Sequence, residues 1–188
     1  MAAALALFSE RGFSATRLED VATRAGVAKG TLYLYFPSKQ ALLEAVVHRY
    51  VVPRLAQGEK LLQDYRGDTK SLLRELLGAW WADLDDRPES SVPKLMVAEA
   101  GNFPELAQFF VQAVVLRGRQ LFRQIIRRGI ERGELRNCNV DHVSRLLIAP
   151  IIYSAIWLKS FRQFDEAIDF RAFAESHIDM VLNGLTVS

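Results

Sequence analysis

The chain has 188 residues, a formal net charge of +2 and 50% hydrophobic residues, enough apolar material for a core and too much for a disordered chain. Its single cysteine, Cys138, excludes an internal disulfide and a thiolate zinc cluster, and His48, His142 and His177 show no metal-ligand spacing. The charge excess sits in residues 1–50, with six Lys/Arg against four Asp/Glu, while the remainder balances at 18 each; a basic first quarter fits a nucleic-acid contact there.

Apolar periodicity is helical throughout, and no segment alternates as a strand does. The chain therefore reads as all-α, with about nine helices. Ala2–Arg11 forms the first, stopped by Gly12. Thr16-Arg17-Leu18-Glu19 fits a capping box that opens the second, which ends near Ala25 with Gly26 in the turn. A short helix over about Lys29–Tyr35 is stopped by Pro37. Ser38 caps a longer one carrying Leu42, Leu43, Val46, Val47 and Tyr50, with Pro53 as its kink or end. Asp68 caps a helix through Trp80 and Leu84 that Pro88 breaks, and Pro93–Ala100 follows, closed by Gly101 and Asn102. Pro104 opens a long helix to Arg132. Asn139 caps the next, to Phe161, and the last covers Glu166–Leu182 with Gly184 behind it.

Met1 to Phe8 is apolar but lacks the basic flank and cleavage site of a signal peptide. The longest apolar run, Leu146–Leu158, is interrupted by Pro150 and Ser154 and falls short of the roughly 20 residues of a membrane span. The expectation is a soluble, cytoplasmic protein without a membrane segment.

The informative stretch is Thr16 to Lys39: helix, glycine turn, short helix, proline stop. A helix-turn-helix has this order, with its second helix laid in the major groove. Leu18, Val21 and Ala22 give the first helix an apolar face, and Val27 plugs the angle between the two. At about 100° per residue from Lys29, Leu32 and Phe36 fall near 300° and 340° and mark a core side. On the opposite side lie Gly30, Thr31 and Leu34, flanked by Tyr33 and Tyr35. Small residues let the backbone enter a groove about 12 Å wide. Thr31 can bond a base edge or phosphate, Leu34 can touch a thymine methyl, and the tyrosine hydroxyls can reach the phosphate ridges. Arg17, Lys29 and Lys39 add charge, which supplies affinity and register without reading sequence. An ordinary helical hairpin would show the same spacing.

Other clusters carry less. Arg117–Arg136 holds seven arginines against Glu131 and Glu134. Arg127 and Arg128 have helix-pair spacing to Glu131, and the stretch reads as the solvated face of a long helix. Cys138, Asp141 and His142 lie in and beside a polar Asn-Cys-Asn turn with no visible partners. No catalytic residue, metal site or cofactor is assigned.

Leu5-Ala6-Leu7-Phe8, Arg11-Gly12-Phe13, Thr16 to Ala22, Ala25 to Phe36 and Ser38-Lys39 together closely resemble the TetR family of bacterial transcriptional regulators. The resemblance covers about 45 residues and fills the family positions in order without gaps. It implies residues 1–45 as a three-helix DNA-binding head and residues 46–188 as a helical effector-binding and dimerisation domain. It also implies a homodimeric repressor that binds a near-palindromic operator and is released when a small molecule binds. By motif position Thr31, Tyr33, Tyr35 and Lys39 correspond to the family's DNA contacts, Lys29 and Gly30 start the recognition helix, and Thr16 and Arg17 sit at the phosphate-facing start of the supporting helix; with Leu34, placed by helix geometry, they make up the expected DNA face. Two departures stand out. Ala28 replaces the usual Ser or Thr, leaving the recognition helix without a side-chain cap, and Met1 falls inside the expected first helix, so no basic arm enters the reading.

The family's effector pocket lies among its middle helices, which points to Trp81, Met96, Phe103, Phe110, Phe122, Ile126, Tyr153 and Trp157. The last two helices are apolar on more than one side, which calls for a partner helix pair. A symmetric four-helix interface is the family's arrangement, and Leu147, Ile151, Phe170, Phe173, Ala174, His177 and Val181 are its candidates. The competing reading is a helical small-molecule-binding protein or enzyme without DNA function. That reading leaves Thr31, Tyr33, Tyr35 and Lys39 without a common purpose.

Overall fold

Twelve α-helices, some of them running directly into the next, make up the helical structure of the described residues, 1–84, 87–164 and 169–186 of a computed structural model. Helix α1 (Ala2–Ala15) is broken at Gly12, where φ of +81° is a backbone state that side chains disfavour. Helix α2 (Leu18–Ala25) ends on Gly26 in the left-handed conformation, and Val27 N–H closes the turn onto Ala22 O at 3.0 Å. The short α3 (Lys29–Tyr35) and α4 (Lys39–Tyr50) complete the head.

Helix α4 ends at Tyr50, just before Pro53, as expected. Pro53 sits in the first turn of α5 (Val52–Asp64), where its missing N–H costs nothing. Then come α6 (Thr69–Ala82), a 3₁₀ turn at Pro88–Ser91, α7 (Val92–Glu99) and α8 (Pro104–Phe110). A π-helical turn, Val111–Val115, joins α8 to α9 (Leu116–Glu131) in one run. A second run pairs α10 (Val140–Leu146) with α11 (Ala149–Ser160), and α12 spans Phe170–Leu185. Val140–Ser160 is long and apolar enough to cross a membrane by length and composition. Leu147, Ile151, Ala155 and Leu158 of this run nevertheless lie in the protein core.

Side-chain caps fix the starts of four helices. Ser38 accepts from Ala41 N–H at 3.0 Å, Asp68 from Ser71 N–H at 2.8 Å, Asn139 from His142 N–H at 2.9 Å, and Asp169 from the amides of Arg171 and Ala172. Asp169 sets the start of α12, and the expected start at Glu166 lies outside the described residues. The helix also runs through Gly184 rather than stopping before it.

One cap differs from expectation. The residue before α2 is Arg17, in extended conformation and without a side-chain bond. Thr16 turns inward instead. Its hydroxyl donates to Gly12 O at 2.7 Å, with Leu7 O at 3.3 Å, because the kink at Gly12 frees those carbonyls. The capping box does not form.

Two apolar cores result. One is built by α6, α9, α11 and α12 around Leu72, Leu77, Phe122, Ile125, Ile126 and Leu182. The other belongs to the head, around Leu5, Phe8, Leu42 and Val46, yet it also takes in Val92, Leu95 and Met96 of α7 and Leu106 of α8.

Three of the five arginines of α9 tie it to its neighbours. Arg117 holds Glu59 of α5 through two bonds at 2.5 and 2.6 Å. Arg123 meets Asp141 of α10, and Arg128 donates to the carbonyls of Tyr65 and Gly67 in place of Glu131.

Candidate nucleic-acid interface

Helix α3 turns one residue inward and the rest outward. Leu32 is 8% exposed, whereas Tyr33 is 40%, Tyr35 71% and Leu34 79% exposed. Lys29, Gly30 and Thr31 are exposed as well. Packing of Leu32 against the head core fixes the rotation of the helix, and this presents a low, partly apolar ridge with a tyrosine on either flank. Ala28 precedes the helix in extended conformation with no side-chain cap.

Two of the cations around the ridge, Lys29 and Lys39, are already engaged. Lys29 Nζ lies 2.6 Å from Glu19 Oε1, and Tyr33 donates its hydroxyl to the same oxygen at 3.1 Å. The bond from Lys29, then a backbone bond and that of Tyr33, lower the Glu19 pKa to about 2, so the carboxylate stays ionised at physiological pH. Lys39 is half-buried. It donates to Ser14 O at 2.9 Å and sits 4.6 Å above the Phe13 ring, and burial lowers its pKa. An ammonium has three donors, so two remain for an outside anion. Arg17 is exposed at the start of α2. Thr16 is the correction in this set: at 1% exposure, with its hydroxyl spent on α1 carbonyls, its side chain cannot reach a phosphate.

Comparison with known proteins agrees with this geometry. Residues 1–46 match the model for bacterial regulatory proteins of the tetR family, and residues 63–169 match the tetracyclin repressor-like C-terminal domain. The chain belongs to the TetR family of bacterial transcriptional regulators. It is 26% identical to the transcriptional repressor KstR2 of Mycolicibacterium smegmatis over 98% of this chain and 88% of that protein. It is 29% identical to the uncharacterised regulator YerO of Bacillus subtilis over 64% of this chain, a match spanning 42% of YerO. Among solved structures, FadR of Bacillus subtilis in complex with stearoyl-CoA superposes with a TM-score of 0.81 at 20% identity, covering 97% of this chain and 96% of FadR.

The residues expected to line an effector pocket in this TetR-family regulator do not meet in one place. Trp81, Phe122 and Ile126 belong to the core of α6, α9, α11 and α12. Met96, Phe103 and Phe110 pack on the head core instead. Tyr153 is 56% exposed and stacks on Trp157 at 5.5 Å along α11. The eight therefore do not form a single lining. A cleft of ≈ 270 Å³ between α5 and α9 is lined by other residues, among them Glu59, Gln63, Arg117 and Gln124.

The expected dimer face also needs correction. Leu147, Ile151, Ala174 and His177 are buried within the subunit's own core. His177 Nδ1 accepts from Trp81 Nε1–H at 3.0 Å. Phe170 and Val181 are partly buried, and of the seven only Phe173 is exposed. The apolar residues left in solvent on these helices are Leu146, Ile152, Tyr153, Phe173 and Met180. Both sides of the helices are apolar, so the sequence pattern does not say which side is inner.

Glu19 and Glu99 escaped the sequence reading. Glu19 had a signal, since a carboxylate at the start of α2 faces a basic ridge once the two helices are crossed. Glu99 had none, for its partners lie more than 80 residues away.

Proposed function

We propose that this regulator is a cytoplasmic repressor that binds a near-palindromic DNA duplex as a homodimer and leaves it when a small molecule binds. Residues 1–45 contact DNA, and residues 46–188 hold the effector and the partner subunit. The observation that carries the reading is the outer face of α3, where Gly30, Thr31, Tyr33, Leu34 and Tyr35 stand exposed around one buried anchor, Leu32. Such a ridge fits a major groove, and Arg17, Lys29 and Lys39 lie where phosphates would pass.

The exposed apolar residues of α11 and α12 support a second copy, with Ile152, Tyr153, Phe173 and Met180 at the interface. A two-fold dimer would place its two α3 helices about 34–36 Å apart, one helical turn of DNA. Small-molecule control rests on family membership. The stearoyl-CoA of the FadR complex belongs to FadR and assigns no effector to this chain. Within the core of α6, α9, α11 and α12, Trp81, Phe122 and Ile126 of the expected set stay together.

Selection of random duplex DNA by the purified protein tests the reading. A near-palindrome should be enriched. A Tyr33→Phe, Tyr35→Phe, Lys39→Ala variant should bind that duplex more weakly, with a salt slope shallower by roughly 0.9 for each phosphate it no longer neutralises. If no duplex is enriched at low salt without ligand, the repressor reading fails.

A further inference from the structure

The head is fastened to the rest of the subunit at a second place besides the α4 connection. The kink at Gly12 interrupts the helical backbone of α1, so Phe13 and Ser14 open a new turn whose amides call for an acceptor. Glu99, the last residue of α7, supplies the acceptor. Its Oε1 takes the N–H of Phe13 at 2.9 Å and that of Ser14 at 3.3 Å. The carboxylate is only 8% exposed, so it serves as an N-cap lent from a different part of the fold. A Cβ on Gly12 would sit 3.1 Å from this oxygen, which, beside its positive φ, explains glycine at the kink.

Around the bond the contacts are equally specific. Phe13 meets Phe103 edge-on at 4.8 Å, and Ser9 Oγ lies 2.6 Å from Ser91 Oγ. Lys39, a residue of the proposed DNA face, bonds Ser14 O and covers the Phe13 ring, so it rests on the same corner. At the other end of α7, Lys94 Nζ donates to Lys159 O at the close of α11 at 2.6 Å. Helix α7 is thus a short strut between α11 and the last turn of α1 in the DNA-binding head.

We propose that Glu99 is a positioning residue for DNA recognition, setting the angle of the head on the effector domain by capping the Phe13–Ser14 turn from α7. The inference rests on the repressor reading and adds to it the part that fixes head orientation. A dimer engages two half-sites together only if both heads are held at the right angle, whereas binding to unselected DNA needs only one head and its phosphates. Glu99 should therefore matter for the selected duplex and not for random DNA.

The test uses the full chain as wild type, Glu99→Ala and Glu99→Gln, with the selected near-palindrome and a random duplex of equal length. Glu99→Ala should lose affinity for the near-palindrome by about tenfold or more, within the span of couplings between linked sites. Its affinity for random DNA should stay within about twofold. Glu99→Gln keeps a carbonyl oxygen for the two amides and should recover most of the loss. Amide exchange over residues 92–99 in the wild type should slow when the near-palindrome binds, since coupling between the two ends of the strut is reciprocal. That measurement does not depend on whether a variant folds. Equal binding of the near-palindrome by Glu99→Ala, parallel loss on both duplexes, no recovery with Gln, or unchanged exchange in α7 would each overturn the proposal. A wild type that selects no duplex overturns the repressor reading itself.

Discussion

Glu19 places a negative charge in the middle of a surface read as a polyanion site. It holds Lys29 and Tyr33 through one oxygen, so both must exchange one anion for another when DNA arrives. Glu19→Gln should leave Lys29 unneutralised, raise affinity for duplex DNA and steepen the salt slope by up to about 0.9. Weaker binding by this variant, measured by titration at several salt concentrations, would show that Glu19 orients the two side chains instead. His177 offers a second test at this scale. Its Nδ1 accepts from Trp81, so the proton sits on Nε2, which is buried with no hydrogen-bond partner among the described residues. Burial lowers its pKa below the ordinary value. The unfolded chain then binds the proton more readily, so stability is full above about pH 6.5 and falls as pH drops below it. The melting temperature should decline on acidification from pH 7.5 to 5.5, and His177→Gln, which keeps an acceptor without titrating, should flatten the decline. Equal pH profiles for the two proteins would rule His177 out as the cause. Residues like these show where a sequence falls silent. The outward turn of Thr31 and Leu34 follows from periodicity, but the inward turn of Thr16 depends on carbonyls freed four residues earlier by a backbone kink.

At the scale of the element, α3 is held by packing rather than by its own ends. Seven residues are too few for a helix to persist alone, and Ala28 gives it no cap. Ala28→Ser should add a bond to an orphan amide and stabilise the protein by about 1 kcal/mol, visible as a rise in melting temperature. No rise would mean that the extended backbone at Ala28 does not present a serine hydroxyl to that amide. Helix punctuation was the most legible part of the chain. Ser38, Asp68 and Asn139 cap where expected, because a cap is a contact between residues two or three apart. Pro53 shows both uses of a proline: α4 ends just before it, and it stands in the first turn of α5. The inner faces of α11 and α12 were not legible, since burial there is decided by α6 and α9.

For the molecule as a whole, the apolar surface left on α11 and α12 is the main debt of the single subunit. Ile152→Asp combined with Met180→Asp, both at exposed positions, should give a monomer by sedimentation at micromolar concentration with its helical content intact. Loss of the linked second half-site should weaken binding of the near-palindrome by about 100-fold or more. A wild-type protein that sediments as a monomer removes the interface and the two-half-site argument together.

The shared core of the head has a consequence for evolution and engineering. Val92, Leu95, Met96 and Leu106 cover apolar surface that α1 to α4 cannot cover themselves. A head cut after α4 and grafted onto a foreign sensor would leave Phe13 without its Phe103 partner and the side of α1 that packs on α7 uncovered. The transferable unit is therefore discontinuous in sequence: the first fifty residues together with α7 and α8. Recombination at the α4 boundary would break it, so in this chain DNA specificity and effector specificity are inherited as one piece.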